Sequence, residues 1–310
     1  MSAKGPSVRD DQRRERRRAD FDTGPSVRDD QRRERRRAHK DGGRPMIFAL
    51  AALVAVYGLY AAFVARNQNR AVFPGAFQAP PGGQLVGGSR RPSEAPGALV
   101  FEPSGAPSEA VAFLFHGNFE RAAGDEAAVR FYLQQGYAVV AKYPGYESPG
   151  SNDVFALSPA YPQAVIDDAF ATVRALRRTR TLLDGRSIGG FVAVAVARKL
   201  LAEHPSAAPV EALVLRSTGA RLCDRAWSVG LPPFLCRVPY DNRTIPGEFP
   251  IFVVHGTADE IFPVAEARRI SPPSPRGEIL EIEGAMHNTT RFPSEELARF
   301  LAKNGLHRPQ

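Results

Sequence analysis

The residues best suited to covalent chemistry are in Gly185-Arg186-Ser187-Ile188-Gly189, which follows the apolar run TLLD. Glycines two positions before and after a serine permit a sharp strand-to-helix turn that exposes the hydroxyl. The Ile188 amide then lies at a helix N-terminus, where the dipole favours a developing oxyanion. This string alone is weak evidence, because about one chain in eight of this Gly and Ser content contains it by chance, as a structural turn.

A serine becomes a good nucleophile only when a base takes its proton and an acid orients that base. Asp259 follows the apolar run IFVVHG, and His287 follows the run EILEIEG. Each is placed where a strand passes into a loop, and the order along the chain is Ser, Asp, His. Glu260 and Asp241 are alternatives for the acid. Other histidines lie near helix or chain ends, in the N-terminal tail, or in the His-Gly pairs at His116 and His255, which are typical of structural turns.

A second oxyanion donor is expected after the strand that ends at Phe115. The sequence there is His116-Gly117-Asn118-Phe119, a strand end followed by a glycine turn. A free backbone N–H of Asn118 or Phe119 is therefore predicted to assist the amide of Ile188.

Short apolar runs alternate with helical patterns in the part of the chain that carries these residues. Strands separated by helices of this length indicate βαβ units and a mainly parallel sheet with helices on both faces. The run FVAVAVA from Phe191 to Ala197 alternates like a strand, yet its place after the serine turn predicts a helix, which must then be buried. The predicted strands are 99–102, 110–115, 137–142, 181–184, 211–217, 250–255 and 278–283; the predicted helices are 120–135, 161–178, 188–203, 263–270 and 294–304, the last capped by Ser294.

The strings HGN, YPGYESPG, GRSIGG, HGTADEIFP and EGAMHN resemble those of the α/β-hydrolase family at matching spacings. They are most similar to its short-lid branch, which includes membrane-anchored abhydrolase-domain proteins and serine aminopeptidase-like or prolyl-oligopeptidase-like hydrolases. The resemblance implies the α/β-hydrolase fold, a catalytic triad of Ser187, Asp259 and His287, and an active-site loop at Tyr143-Pro144-Gly145-Tyr146. Asp184 and Glu147 depart from the branch, which commonly has an apolar or aromatic residue at the first position and a small one at the second.

The lid segment, Gly219 to Gly247, is a short excursion between the predicted strands. Its apolar content suits a small lid over an acyl pocket, with ordinary packing on the sheet as the alternative. Trp227 and Phe234, together with Tyr146, are the predicted substrate-binding residues. Cys223 and Cys236 lie 13 positions apart within it, and we expect a disulfide between them if the domain faces an oxidising exterior.

Most of the net charge of +8 is confined to the N-terminal tail, residues 1–45, which holds 15 Lys+Arg and 9 Asp+Glu. The 15-residue string GPSVRDDQRRERRRA occurs there twice, from Gly5 and from Gly24. Neither copy has an apolar face, so disorder, or at most a transient salt-laced helix, is predicted. We interpret it as a solvated cytoplasmic tail that sets topology; electrostatic adhesion to anionic lipid or nucleic acid and a misassigned start codon are the alternatives.

Residues 46–65, MIFALAALVAVYGLYAAFVA, form an uncharged stretch of 20 residues, which as a helix is about 30 Å long and can cross a bilayer. A cleaved signal peptide normally has a shorter apolar region behind a shorter basic start, so an uncleaved anchor is expected. The basic excess before it predicts a cytoplasmic N-terminus and an extracytoplasmic domain, periplasmic or extracellular.

Residues 66–98 are rich in Pro and Gly and predict a linker with an edge strand near Gln84 to Val86. The remaining residues, 99–306, suffice for one domain. The ordinary composition argues against disordered and polytopic membrane classes, and no Cys/His grouping has zinc spacing, so neither a metal nor an organic cofactor is expected. The basicity of the tail gives no support to nucleic-acid binding.

These features together predict a membrane-anchored serine hydrolase that cleaves an ester, thioester or amide of a small-molecule or acyl substrate. Ser187 is expected to form the acyl-enzyme, His287 to act as general base, and Asp259 to orient it. A catalytically silent binding or scaffolding module and an acyltransferase on the same triad are the alternatives.

Overall fold

The chain divides into two compact units, Met1–Ala62 and Phe63–Gln310. In the first unit, the described residues belong to one helix, and in the second they form an α/β domain. The computed structural model describes residues 25–72, 90–92, 98–103, 108–117, 125–142, 160–176, 178–203, 210–245, 249–270 and 276–306.

Eight strands among the described residues form one mixed sheet in the order β1-β2-β4-β3-β5-β6-β7-β8. Strands β3 to β8 pair in parallel, whereas β2 is antiparallel to both β1 and β4 at one edge. The strands are β1 Arg90–Pro92, β2 Ala98–Phe101, β3 Ala110–Phe115, β4 Ala138–Lys142, β5 Arg180–Arg186, β6 Val210–Arg216, β7 Ile251–Gly256 and β8 Gly277–Ile282.

Helices cover both faces of this sheet because successive residues of the central strands point to opposite sides. In β3, Phe113 and Phe115 join a core cluster with α3 and α4, whereas Leu114 joins a second cluster with α2 and α6. The helices are α1 Pro25–Val72, α2 Glu126–Gln134, α3 Tyr161–Ala175, α4 Ile188–Glu203, α5 Val264–Ile270 and α6 Ser294–Lys303.

The predicted layered fold and the order of its elements are confirmed. The ambiguous FVAVAVA run is helical within α4, and Phe191 and Val194 are almost fully buried, as a helix apolar on most sides must be. Strand order also reverses at β3, with β4 on one side and β5 on the other. Such a reversal leaves a crevice beyond the carboxyl ends of the strands, where ligands bind in open α/β sheets.

The structure corrects the predictions at three places. Helix α1 contains the second tail repeat from Pro25 and runs past Ala65 to Val72, so part of the predicted linker is helical. Arg, Ala, Gln and Glu favour helix without any apolar face, which explains the helical repeat. An edge strand lies at Arg90–Pro92, and the one predicted near Gln84 to Val86 falls outside the described residues. Ser294 is the first residue of α6 and not its side-chain cap.

The lid segment is described over residues 219–245 and contains two short 3₁₀ helices, Leu222–Val229 and Pro233–Leu235. A left-handed Gly230 ends the first of them, and Cys223 and Cys236 are joined in a disulfide, as predicted. The bridge joins the first 3₁₀ helix to the residue that follows the second. It therefore stabilises a segment that has little regular secondary structure.

Removing this bridge is expected to destabilise the domain. In the chain-entropy model a loop of this length contributes about 3 kcal/mol to the free energy of unfolding. The double variant C223A/C236A of the full chain in detergent should therefore unfold at a lower urea concentration than the parent. A reductant should lower the midpoint of the parent but not of the variant; equal midpoints without reductant would contradict the expectation.

Candidate active site

The serine turn is built by close packing of backbone. Ser187 follows β5 directly, has a φ of +54°, and precedes α4. A Cβ placed on Gly189 would lie 2.1 Å from the Phe115 carbonyl oxygen, and one on Gly185 would lie 2.5 Å from the Gly189 carbonyl oxygen. Only glycine fits at these two positions, so the G-x-S-x-G spacing is required by the geometry. The amide of Ser187 donates to the Arg216 carbonyl oxygen at 2.8 Å.

A hydrogen-bonded chain of three buried side chains starts at this serine. The Oγ of Ser187 lies 3.0 Å from Nε2 of His287, and Nδ1 of His287 lies 2.9 Å from Oδ2 of Asp259. These residues follow β5, β8 and β7, whose carboxyl ends share one edge of the sheet. The structure therefore brings together Ser187, His287 and Asp259 as the sequence predicts.

Asp259 is held as a carboxylate by donors from its own loop. Its Oδ1 accepts the backbone N–H groups of Ile261 and Phe262 at 2.9 and 2.8 Å. Burial raises the pKa of Asp259, but hydrogen bonds from His287 and the Phe262 amide outweigh it and leave the pKa below its usual value. The side chain is thus ionised at neutral pH and aimed at the imidazole.

Neither alternative acid occupies this place. The Glu260 carboxylate accepts the backbone N–H of His287 at 3.1 Å, so its hydrogen bond is to the main chain of this histidine. Asp241 accepts from the Arg243 side chain at 2.9 Å, in the lid segment. The structure therefore places Asp259, and neither of its alternatives, on the imidazole ring.

His255 is a second histidine beside Asp259. The sequence did not predict that these two residues lie close together. Its Nε2 lies 2.6 Å from the Phe262 carbonyl oxygen and 3.4 Å from Oδ2 of Asp259. Complete burial lowers the pKa of His255 despite these two oxygens. A neutral ring that donates from Nε2 to Phe262 fixes the loop that supplies the acid.

A buried ion-pair network lies behind the serine turn. Arg216, whose carbonyl oxygen receives the Ser187 amide, donates from Nε to Asp184 at 2.8 Å and from a terminal nitrogen to Asp125 at 2.6 Å. The Tyr132 hydroxyl donates to the other oxygen of Asp184 at 2.8 Å. This arrangement explains the unusual aspartate before the turn, because Asp184 neutralises a buried guanidinium.

Burial and mutual charge set the ionisation of this network. Burial raises the pKa of Asp184, and Arg216 opposes that rise. Burial also disfavours the charged form of Arg216, but the two carboxylates hold its pKa above the usual value. Asp125 further accepts the Ala128 amide at the start of α2, so the network joins that helix to the end of β6.

A cavity of about 520 Å³ opens beside Ser187 and Ile188, within the size range of small-molecule sites. The lid segment contributes Leu222 and Leu231 to its wall, and the end of helix α1 contributes Val64. All of the lining residues belong to the second unit.

The other predicted site residues are not all brought to this cavity. Ile188 lines it, next to Ser187. Trp227 and Phe234 are 61% and 83% exposed and do not line it, whereas their neighbours Ala226 and Cys236 do. Asn118 and Phe119 lie outside the described residues, as do Tyr146 and Glu147.

The buried network can be tested through the stability of the fold. Replacement of Arg216 by methionine leaves Asp184 buried without a cation, which is expected to lower the free energy of unfolding by about 3–5 kcal/mol. D184N/R216M retains an acceptor for Tyr132 without a net charge and should recover much of the loss. Urea unfolding of the full chain in detergent measures both.

The matched control for that experiment is R243M, which removes an arginine from an exposed ion pair with Asp241. Because exposed ion pairs contribute little to stability, it should lower the free energy of unfolding far less than R216M does. An R216M variant as stable as R243M would show that the network does not support the fold.

Comparisons with known proteins agree with this architecture. The chain shows 16% identity and a TM-score of 0.53 to the solved structure of a hydrolase from Agrobacterium vitis S4, covering 68% of this chain and 92% of that one. An esterase from Pyrococcus furiosus gives 19% identity and a TM-score of 0.50, covering 66% and 85%. No protein-family model and no curated protein matches the sequence. At these identities the likeness shows a shared fold.

Proposed function

We propose that this chain, which has the α/β-hydrolase fold, is a serine hydrolase that cleaves an ester, thioester or amide through an acyl-enzyme on Ser187. The observation that supports this most directly is the hydrogen-bonded chain from Ser187 through His287 to Asp259. Ser187 lines a cavity and has the backbone conformation of a nucleophile turn.

In the proposed reaction, Nε2 of His287 takes the proton of Ser187 as Oγ attacks the substrate carbonyl. The tetrahedral oxyanion receives the Ile188 N–H at the start of α4, where the helix dipole also favours negative charge. His287 then returns the proton to the departing alcohol, thiol or amine, and the acyl group remains on Oγ. Water, deprotonated by the same ring, releases the acid and restores the serine. Asp259 stabilises the imidazolium formed in both halves.

The proposed location of this reaction follows from helix α1. Its stretch Pro45–Asn69 has the length of a membrane span and contains an 18-residue window with a mean hydropathy of 2.3. Large apolar side chains such as Phe48, Leu53 and Leu59 are 67–73% exposed along it, which suits lipid better than water. The basic excess before the span favours a cytoplasmic N-terminus, and the Cys223–Cys236 bridge favours an oxidising compartment for the domain. We therefore propose a single-pass protein with an extracytoplasmic hydrolase domain.

The proposed nucleophile is tested by covalent labelling. A fluorophosphonate should label the full chain in detergent, and S187A should abolish both labelling and ester hydrolysis. The matched control is S217A, because Ser217 is also buried and has a positive φ of 47° at the end of the neighbouring strand β6. It should be labelled like the parent. Hydrolysis by S187A at the parental rate would overturn the proposed mechanism, and labelling without turnover of any ester or amide would favour a binding module.

The proposed topology is tested with reporter fusions. A reporter enzyme that folds only outside the cytoplasm should be active after Gln310 and inactive when fused before the tail. A reporter that works only in the cytoplasm should show the opposite pattern. Activity of the cytoplasmic reporter alone after Gln310 would reverse the orientation.

A further inference from the structure

One wall of the cavity beside Ser187 comes from the helix that carries the predicted membrane span. Val64, Gln68 and Val72 of α1 line it, at intervals of four residues. Residues four apart lie on one face of a helix, so this end of α1 presents a continuous stripe to the cavity. The helix is therefore part of the candidate substrate site as well as a connection to it.

Polar contacts fix this stripe against the lid segment. The Oε1 of Gln68 accepts the backbone N–H of Arg237 at 2.9 Å, and its Nε2 donates to the Ala65 carbonyl oxygen at 2.7 Å. Arg237 directly follows Cys236, whose bridge to Cys223 holds the lid segment together. Both polar ends of Gln68 are thus occupied, which leaves its aliphatic part beside the cavity.

Most of the residues that line the cavity are aliphatic or aromatic. The lid segment contributes Leu222, Val229 and Leu231, and the loop that carries Asp259 contributes Ile261 and Phe262; the polar lining residues include Arg225, Ser228 and Glu260. The predominantly apolar surface can remove an alkyl chain from water. The carbonyl group of such an ester would have to lie at Ser187.

The position of Val64 along the chain connects this surface with the membrane. Val64 is the penultimate residue of the predicted span 46–65, and Gln68 follows about 6 Å farther along the helix axis. The cavity wall therefore begins at the end of the proposed span. The lid segment also exposes Trp227 and Phe234, at 61% and 83%. Tryptophan is enriched at the membrane–water interface.

We propose that the cavity takes the long acyl chain of an ester dissolved in the same bilayer, and that this chain enters along the Val64–Gln68–Val72 face of α1. The inference rests on the proposed hydrolase function and membrane span, and names the substrate class for that site.

The test uses the full chain in phosphatidylcholine vesicles with two fluorogenic esters, methylumbelliferyl butyrate and methylumbelliferyl palmitate. Val64→Trp fills the entrance and should lower kcat/KM for the palmitate at least tenfold more than for the butyrate. Val54→Trp is the matched control: Val54 lies in the same span, is 62% exposed and does not line the cavity. It should leave the ratio of the two rates at the parental value.

A second measurement tests entry from the bilayer. The parent protein should hydrolyse the palmitate at least tenfold faster when ester and protein share vesicles than when they are in separate vesicles. Equal rates in the two arrangements, or equal loss of both esters in Val64→Trp, would overturn the inference. Fluorophosphonate labelling of Ser187 and butyrate hydrolysis report the proposed hydrolase function separately, so a protein active on butyrate that fails these tests refutes only the acyl-chain site.

Discussion

The left-handed turn at Ser187 is the constraint on which the site depends. A non-glycine residue with a positive φ is conformationally costly, and the surrounding structure must hold it in place. The turn satisfies its backbone through the Arg216 carbonyl, and its flanking glycines approach neighbouring backbone at distances that no side chain allows. Strand β3, strand β6 and helix α4 are therefore fixed relative to one another wherever the serine is correctly placed.

The ion pairs behind the turn are made by Arg216, the residue whose carbonyl oxygen accepts the Ser187 amide. The guanidinium of this arginine is buried. An unpaired charge there would be very costly, and Asp184 and Asp125 provide two partners from β5 and the start of α2. Tyr132 completes the hydrogen bonding of Asp184. The buried polar groups of this network thus satisfy one another's charges and hydrogen bonds. Removal of one group would leave its partners buried without a partner, which is energetically costly.

Sequence patterns predicted the elements and the three side chains of the candidate triad because both depend on local signals. A strand end followed by Asp259 or His287 can be recognised from a few neighbouring residues, and parallel strands then bring their carboxyl ends to one edge. The Arg216 network could not be predicted in this way, since Asp125 is 91 positions from its partner. The same applies to the cavity wall at Val64, where a residue of the predicted membrane span lines the same cavity as Ser187. These contacts depend on the packing of distant segments, which neither periodicity nor motif spacing encodes.

The Asp259 carboxylate lies near two histidines but is available to orient only one of them, His287. His255 and His287 both lie near Oδ2 of Asp259, at 3.4 and 2.9 Å. A second imidazolium beside the carboxylate would compete for its negative charge and weaken the support of His287. Burial keeps His255 neutral, and its proton on Nε2 is directed mainly to the Phe262 carbonyl oxygen. The negative charge of Asp259 therefore acts mainly on the His287 ring, which contacts Ser187. His255 is fully buried and bonded to the main chain, whereas His287 contacts the Ser187 hydroxyl, so two residues of the same chemical type have different surroundings.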